Sequence, residues 1–144
     1  MMRILKWSIE IPMKFWHVTS SDLVESILRE GLRPGAYLIA EDRAEIRDYY
    51  AETVADEGNV PVILVVDADR LSVRNFTPDQ NGLDEPLTHT LGMTEDDVRE
   101  AFDATGGTWR DCIEVIGTCR YMGTVPSAAL SVRGEEQVRE SVRD

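Results

Sequence analysis

The period with which apolar residues recur changes several times along the chain, and each change marks an element. Met2, Ile4, Trp7, Ile9 and Ile11, interrupted by Pro12 and resumed at Phe15, Trp16 and Val18, predict one or two short strands over 2–18. At Thr19-Ser20-Ser21-Asp22 the period lengthens. Asp22 and Glu25 have the spacing of a capping box, and Leu23, Val24, Ile27 and Leu28 form a helical stripe. Gly31 stops that helix, Leu32 is placed for the apolar contact of a Schellman end, and Arg33-Pro34-Gly35 is a turn. A strand over 36–40 then runs into a second helix. Asp42 and Glu45 repeat the capping spacing, Ile46, Tyr49, Tyr50, Thr53 and Val54 form the inner face, and Gly58-Asn59 ends it. The run 60–66 is almost wholly aliphatic, as a strand covered on both faces requires, with Pro61 tolerated near its beginning.

The second half is less regular. A short strand is expected over 72–76, and an irregular loop over 77–93, which holds Pro78, Gly82, Pro86 and Gly92. Thr94 and Asp97 open a helix through about Ala104, with Val98, Ala101 and Phe102 inward, and Gly106-Gly107 breaks it. Strands near 112–117 and 119–122, a turn at Pro126 and a last strand over 129–133 complete a domain spanning 1–133, followed by a polar tail over 134–144. Strands and helices in this order predict a single α+β domain with a small mixed or split sheet and short flanking helices. The chain holds neither GxGxxG nor GxxxxGK[ST], and no HExxH or HxE…PCxxC pattern, so the common phosphate loops, zinc hydrolases and zinc deaminases are unsupported.

Composition narrows the partners. The 144 residues carry 15 Lys+Arg against 27 Asp+Glu, a net charge of −12, interspersed with 42% hydrophobic residues. Such a field repels duplex nucleic acid and anionic membranes, while a single-stranded acceptor is disfavoured without being ruled out. The acids are spread among apolar residues, which argues against a disordered acidic tail. Cys112 and Cys119 provide neither a disulfide framework nor a zinc spacing. No run approaches the length needed to span a bilayer, and the opening residues alternate too much for a signal peptide, so a reducing, cytoplasmic setting is expected.

One stretch carries chemistry. Phe15-Trp16-His17-Val18-Thr19-Ser20, the helix end Ile27-Leu28-Arg29-Glu30-Gly31-Leu32-Arg33-Pro34, and Tyr37 at the next strand resemble the opening of ADP-ribosyltransferase-like domains of the His–Tyr–Glu subgroup. The aromatic pair Tyr49-Tyr50 and a later Glu114 in an expected strand fit the same pattern. The likeness covers 14–68 well and 109–131 loosely. It implies a split sheet with NAD, as substrate, lying in the cleft between its halves, and no metal. His17 would bind the adenosine-side ribose with Thr19 in support, and the backbone at Val18 would hold the nicotinamide amide. Tyr37 with Tyr49 or Tyr50 would enclose the nicotinamide ring. Glu114 would stabilise the oxocarbenium-like charge as nicotinamide departs, and Arg33 would meet the pyrophosphate.

Read without the resemblance, the same residues allow other roles: His17 as a structural histidine, the tyrosines as core aromatics, Glu114 as a solvent-facing carboxylate, Arg33 as a turn residue and Trp109 as a packing residue. Val18 stands where many members of the family carry Gly. The implied activity is transfer of ADP-ribose from NAD to an unidentified acceptor, in a toxin-like or phage-related enzyme with a protein partner or antitoxin. The alternative is a catalytically inactive module that engages a basic partner through its acidic surface. Segments 41–57 and 79–111 motivate that alternative, holding seven and nine carboxylates against two arginines each. A high-salt cytoplasm or a GC-rich genome would also account for the acidity.

Overall fold

The computed structural model describes residues 14–134. The part before Lys14 of the one or two strands expected over 2–18, and most of the polar tail, lie outside that range. Six strands form one antiparallel sheet: β1 (Lys14–Ser20), β2 (Ala36–Ala40), β3 (Pro61–Asp67), β4 (Phe76–Pro78), β5 (Thr118–Tyr121) and β6 (Leu130–Val132), in the spatial order β4-β5-β2-β1-β3-β6. Among the described residues six α-helices accompany it: α1 (Ser21–Glu30), α2 (Ala44–Asp56), α3 (Gln80–Asp84), α4 (Thr88–Leu91), α5 (Glu95–Asp103) and α6 (Trp109–Ile116). The expectation of a small sheet with short flanking helices holds, but in place of the expected mixed or split sheet the described strands form one sheet with every pairing antiparallel. Among the described helices none is long and apolar enough to cross a membrane.

Strand alternation divides the apolar residues between two faces. Phe15, Leu38, Ala40, Val66, Cys119 and Tyr121 pack on one side with Leu32, Val125 and Ile27 of α1. Val18 and Ile39 pack on the other with Ile46, Tyr50 and Val54 of α2. The pairing of β1 with β3 runs over seven residues, Lys14↔Asp67 to Ser20↔Pro61. That of β1 with β2 covers only Phe15↔Ala40 and Trp16↔Ile39. The sheet therefore opens between the end of β1 and the start of β2.

Several expected elements are corrected. The run 112–117 is helical, not extended: Trp109, Cys112, Ile113 and Ile116 are buried at the i, i+3, i+4, i+7 spacing, which outweighs the β-branched content of Ile-Glu-Val-Ile. Thr108 and Asp111 form a capping box that starts the helix, and Gly117 ends it in a left-handed turn. The strand over 72–76 is instead a 3₁₀ turn at Val73–Asn75, followed by β4. The loop over 77–93 is organised into α3 and α4, because Asp79 accepts from the Gly82 amide and begins a helix there. The capping spacings at Asp22 and Asp42 are not used. Ser20 occupies the first N-cap and bonds the Asp22 carboxylate, and Arg43 occupies the second. The box at Thr94 and Asp97 forms as expected.

Gly31 is the tightest point behind the opening. Its φ is +87°, its amide closes α1 on the Ile27 carbonyl, and an added Cβ would lie 2.2 Å from the Val125 carbonyl oxygen. Gly31→Ala is expected to lower stability by more than about 2 kcal/mol, since left-handed backbone strain and a backbone clash act together. Denaturant unfolding monitored by tryptophan fluorescence checks it; a loss below 0.5 kcal/mol is the contrary result.

Candidate functional site

At the opening of the sheet, side chains bond the backbone groups that a continued ladder would pair. The His17 Nδ1–H donates to the Tyr37 carbonyl at 2.8 Å, and the Tyr37 hydroxyl donates to the Val18 carbonyl at 3.0 Å. A carbonyl oxygen only accepts, so this bond fixes the histidine tautomer and leaves Nε2 with a bare lone pair. By strand parity His17 belongs to the Phe15 face and Tyr37 to the Ile39 face, yet their ring centroids are 4.7 Å apart. They meet through the gap. Tyr37 then stacks on Tyr50, with centroids 4.7 Å apart and planes 26° from parallel, and Tyr49 meets Tyr50 edge-on at 5.6 Å. Tyr50 is the half-buried partner of Tyr37, whereas Tyr49 is exposed.

On the α1 side the gap leads into an open cavity of about 560 Å³, bordered by His17, Thr19, Leu23, Ile27, Glu30 and Arg33 among others. Its wall combines an imidazole acceptor, an apolar helix face, one carboxylate and one guanidinium. Arg33 is exposed and forms no ion pair with another of the described residues. The Val18 side chain packs away from this cavity, among Ile39 and Ile46, so its place next to His17 narrows nothing. Its carbonyl accepts from the Tyr37 hydroxyl and retains a second lone pair.

Glu114 lies elsewhere. The strand expected around it is the last turn of α6, its side chain is exposed, and no contact joins that side chain to His17 or Tyr37. Arg43 instead donates to the backbone carbonyls of Ile113 and Glu114, closing the helix end. Trp109 is buried and stacks on Phe76 at 4.4 Å, a packing role. His89 is exposed on α4. Cys112 and Cys119 are buried free thiols, and burial pushes the Cys112 thiol up to about 12. No three His, Cys, Asp or Glu among the described residues are grouped to hold a metal ion.

Two residues outside the expected set stand beside the tyrosines. Asp79, just beyond β4, is almost fully buried and accepts from the Thr118 hydroxyl at 2.8 Å and from Arg120 Nε at 3.0 Å. Arg120, opposite Tyr37 in the β2–β5 pairing, also donates to the Gly35 carbonyl at 2.7 Å. Removing one member of a buried pair costs about 3–5 kcal/mol, and the 29% exposure of Arg120 puts this one at the lower end. The signal was available in the strand Thr118-Cys119-Arg120-Tyr121. Its alternate positions are polar although it lies inside a sheet, and they require a buried partner.

Comparison with family models, with curated protein sequences and with solved structures returns no match.

Burial holds the His17 pKa below its ordinary value, and the bond to the Tyr37 carbonyl only partly opposes that. The unfolded chain therefore binds a proton that the folded chain does not, and stability present above pH 6.5 is lost as the pH falls below that value. Urea unfolding at pH 7.5 and 5.5 is expected to show this slope in the wild type and a shallower one in His17→Gln. Equal slopes would remove the buried neutral imidazole.

Proposed function

We propose that the chain is an NAD-dependent ADP-ribosyltransferase of the His–Tyr–Glu type, with its NAD site at the opening between β1 and β2. The observation that carries this reading is the crossing of His17 and Tyr37 through the gap, with an acceptor nitrogen on the cavity side and a stacked tyrosine pair on the other. NAD has matching parts. Its adenosine-side ribose supplies hydroxyl donors to His17 Nε2, with Thr19 beside it. Its nicotinamide is a flat ring for Tyr37 and Tyr50, and its carboxamide can bond the backbone at Val18. Burial raises the Tyr37 pKa, so its hydroxyl remains a donor at neutral pH and the gap keeps its shape.

In the reaction the bond between the nicotinamide nitrogen and the ribose anomeric carbon breaks. Its electron pair leaves with the nitrogen, giving neutral nicotinamide and an oxocarbenium-like sugar. The acceptor then bonds that carbon and gives up a proton. An ordered aromatic platform fixes the ring so that the departing and attacking groups stay in line.

The exposed position of Glu114 favours a second reading. A chain without a carboxylate at the anomeric carbon would be an inactive module, engaging a basic partner through its acidic surface. Incubation with NAD distinguishes the two. The wild type is expected to release nicotinamide, and His17→Ala and Tyr37→Ala to release it about 100-fold more slowly. Calorimetry that detects no NAD binding, together with salt-sensitive association with a basic protein, would establish the module and end the transferase reading.

A further inference from the structure

Arg120 is held along one side and open along the other. Its Nε–H goes to Asp79 and one Nη1–H goes to the Gly35 carbonyl. A guanidinium carries five N–H groups, so both on Nη2 and one on Nη1 have no partner among the described residues. The side chain of Asp79 is 3% exposed and that of Arg120 29%, so the positive end of the pair faces water. Asp79 is itself fixed by Thr118 and the Gly82 amide, which leaves the guanidinium little freedom to turn.

The position of this cation is also informative. Tyr37 lies opposite Arg120 in the pairing of β2 with β5, and the charge of Arg120 acts on both the Tyr37 and Tyr50 phenols. Gly35, which holds Nη1, follows the cavity-bordering Arg33-Pro34 at the head of β2. Arg120 thus stands beside Tyr37, with its guanidinium at the turn that leads from the cavity border into β2. In a chain of net charge −12, a dianionic linker placed there needs a local cation. Arg33 is exposed and unanchored, and would lose side-chain entropy on engaging it. Arg120 is already oriented and partly shielded from water, so each hydrogen bond to phosphate oxygen is stronger.

We propose that Arg120, positioned by Asp79 and the Gly35 carbonyl, is the diphosphate-binding residue of the site; the proposal rests on the dinucleotide reading given above. The class of ligand follows. It is a nucleoside diphosphate whose phosphates contact the free edge of the guanidinium, while its ribose faces His17.

Calorimetry on the full chain with ADP and with adenosine separates the phosphate contact from the rest of the site. Arg120→Gln is expected to weaken ADP binding at least tenfold and to change adenosine binding less than twofold. Arg120→Lys keeps the charge and the stem but loses the fork, and is expected to weaken ADP binding at least threefold. It serves where the glutamine variant does not fold, as judged by its thermal unfolding curve. Asp79→Asn keeps the cation but releases it, and is expected to move ADP and not adenosine. An unchanged affinity for ADP in Arg120→Lys and Arg120→Gln, or an equal fall for both probes, overturns the proposal. Wild-type protein that binds ADP through Arg120 but releases no nicotinamide from NAD overturns the transferase reading alone. Wild-type protein that binds neither probe overturns both.

Discussion

A β-sheet interior to a domain normally leaves no backbone group without a strand partner, and here the partners between the end of β1 and the start of β2 are side chains. The two bonds are reciprocal. His17 on β1 reaches the backbone of Tyr37 on β2, and Tyr37 reaches the backbone of Val18 on β1. Together they satisfy two carbonyls that the broken ladder would otherwise orphan. Every other property of the site depends on that exchange. It selects the imidazole tautomer, holds a phenol between two strands, and lets groups from opposite faces of one sheet touch. A ladder continued by two more residue pairs would close the gap and put His17 and Tyr37 on separate sides of a wall.

The Asp79–Arg120 pair does for the far side of the gap what the His17–Tyr37 exchange does for its centre. Asp79 joins the start of α3 to β5 through Gly82, Thr118 and Arg120, and Arg120 carries the connection to the turn before β2. The glycine at position 82 is required by this arrangement, since a Cβ there would lie 2.6 Å from Asp79 Oδ2 and 2.8 Å from Ile116 Cδ1. The segment 79–93, which looks structureless in sequence, is thereby packed against the Tyr50 side of the sheet. Leu87 and Leu91 join the cluster of Val18, Ile39 and Ile46. A buried ion pair of this kind contributes little net stability against an apolar alternative. Its consequence here is geometric, because it sets the direction of one guanidinium.

The first half of the chain was legible because its signals are local. Gly31 ends a helix whose stripe is visible in sequence, and the strands 14–20, 36–40 and 61–67 show their apolar character directly. The second half misled where two periods coincide. Ile113, Val115 and Ile116 suggest extension, yet Trp109, Cys112, Ile113 and Ile116 repeat at helical spacing, and the Thr108–Asp111 box decides between them. That one choice moved Glu114 from an expected cleft to a helix surface. Of the residues singled out in the sequence, His17, Thr19 and Arg33 border one cavity, and Tyr37 and Tyr50 follow from His17 by ring contacts. Asp79 and Arg120 were signalled only by the polar alternate positions of 118–121, because which residue answers them depends on a pairing 41 residues apart.

The acidity of the chain takes on a different sense in this setting. Uniform negative charge would make any site for a phosphate ester unfavourable, since carboxylates within about 8–10 Å of it act with little screening at physiological salt. What rescues an anion site under those conditions is a cation whose own partner is buried deeper than it is, since the pair then presents its positive end to the ligand while the carboxylate is shielded behind it. Asp79 and Arg120 have that arrangement, with the carboxylate at 3% exposure and the guanidinium at 29%. An unpaired surface arginine such as Arg33 has no comparable advantage, because its field is shared with the surrounding carboxylates and weakened by water. A phosphate site of the kind proposed would therefore be compatible with the surface charge through the interior pair, and a substitution that neutralised Asp79 would change the direction of the cation more than its strength.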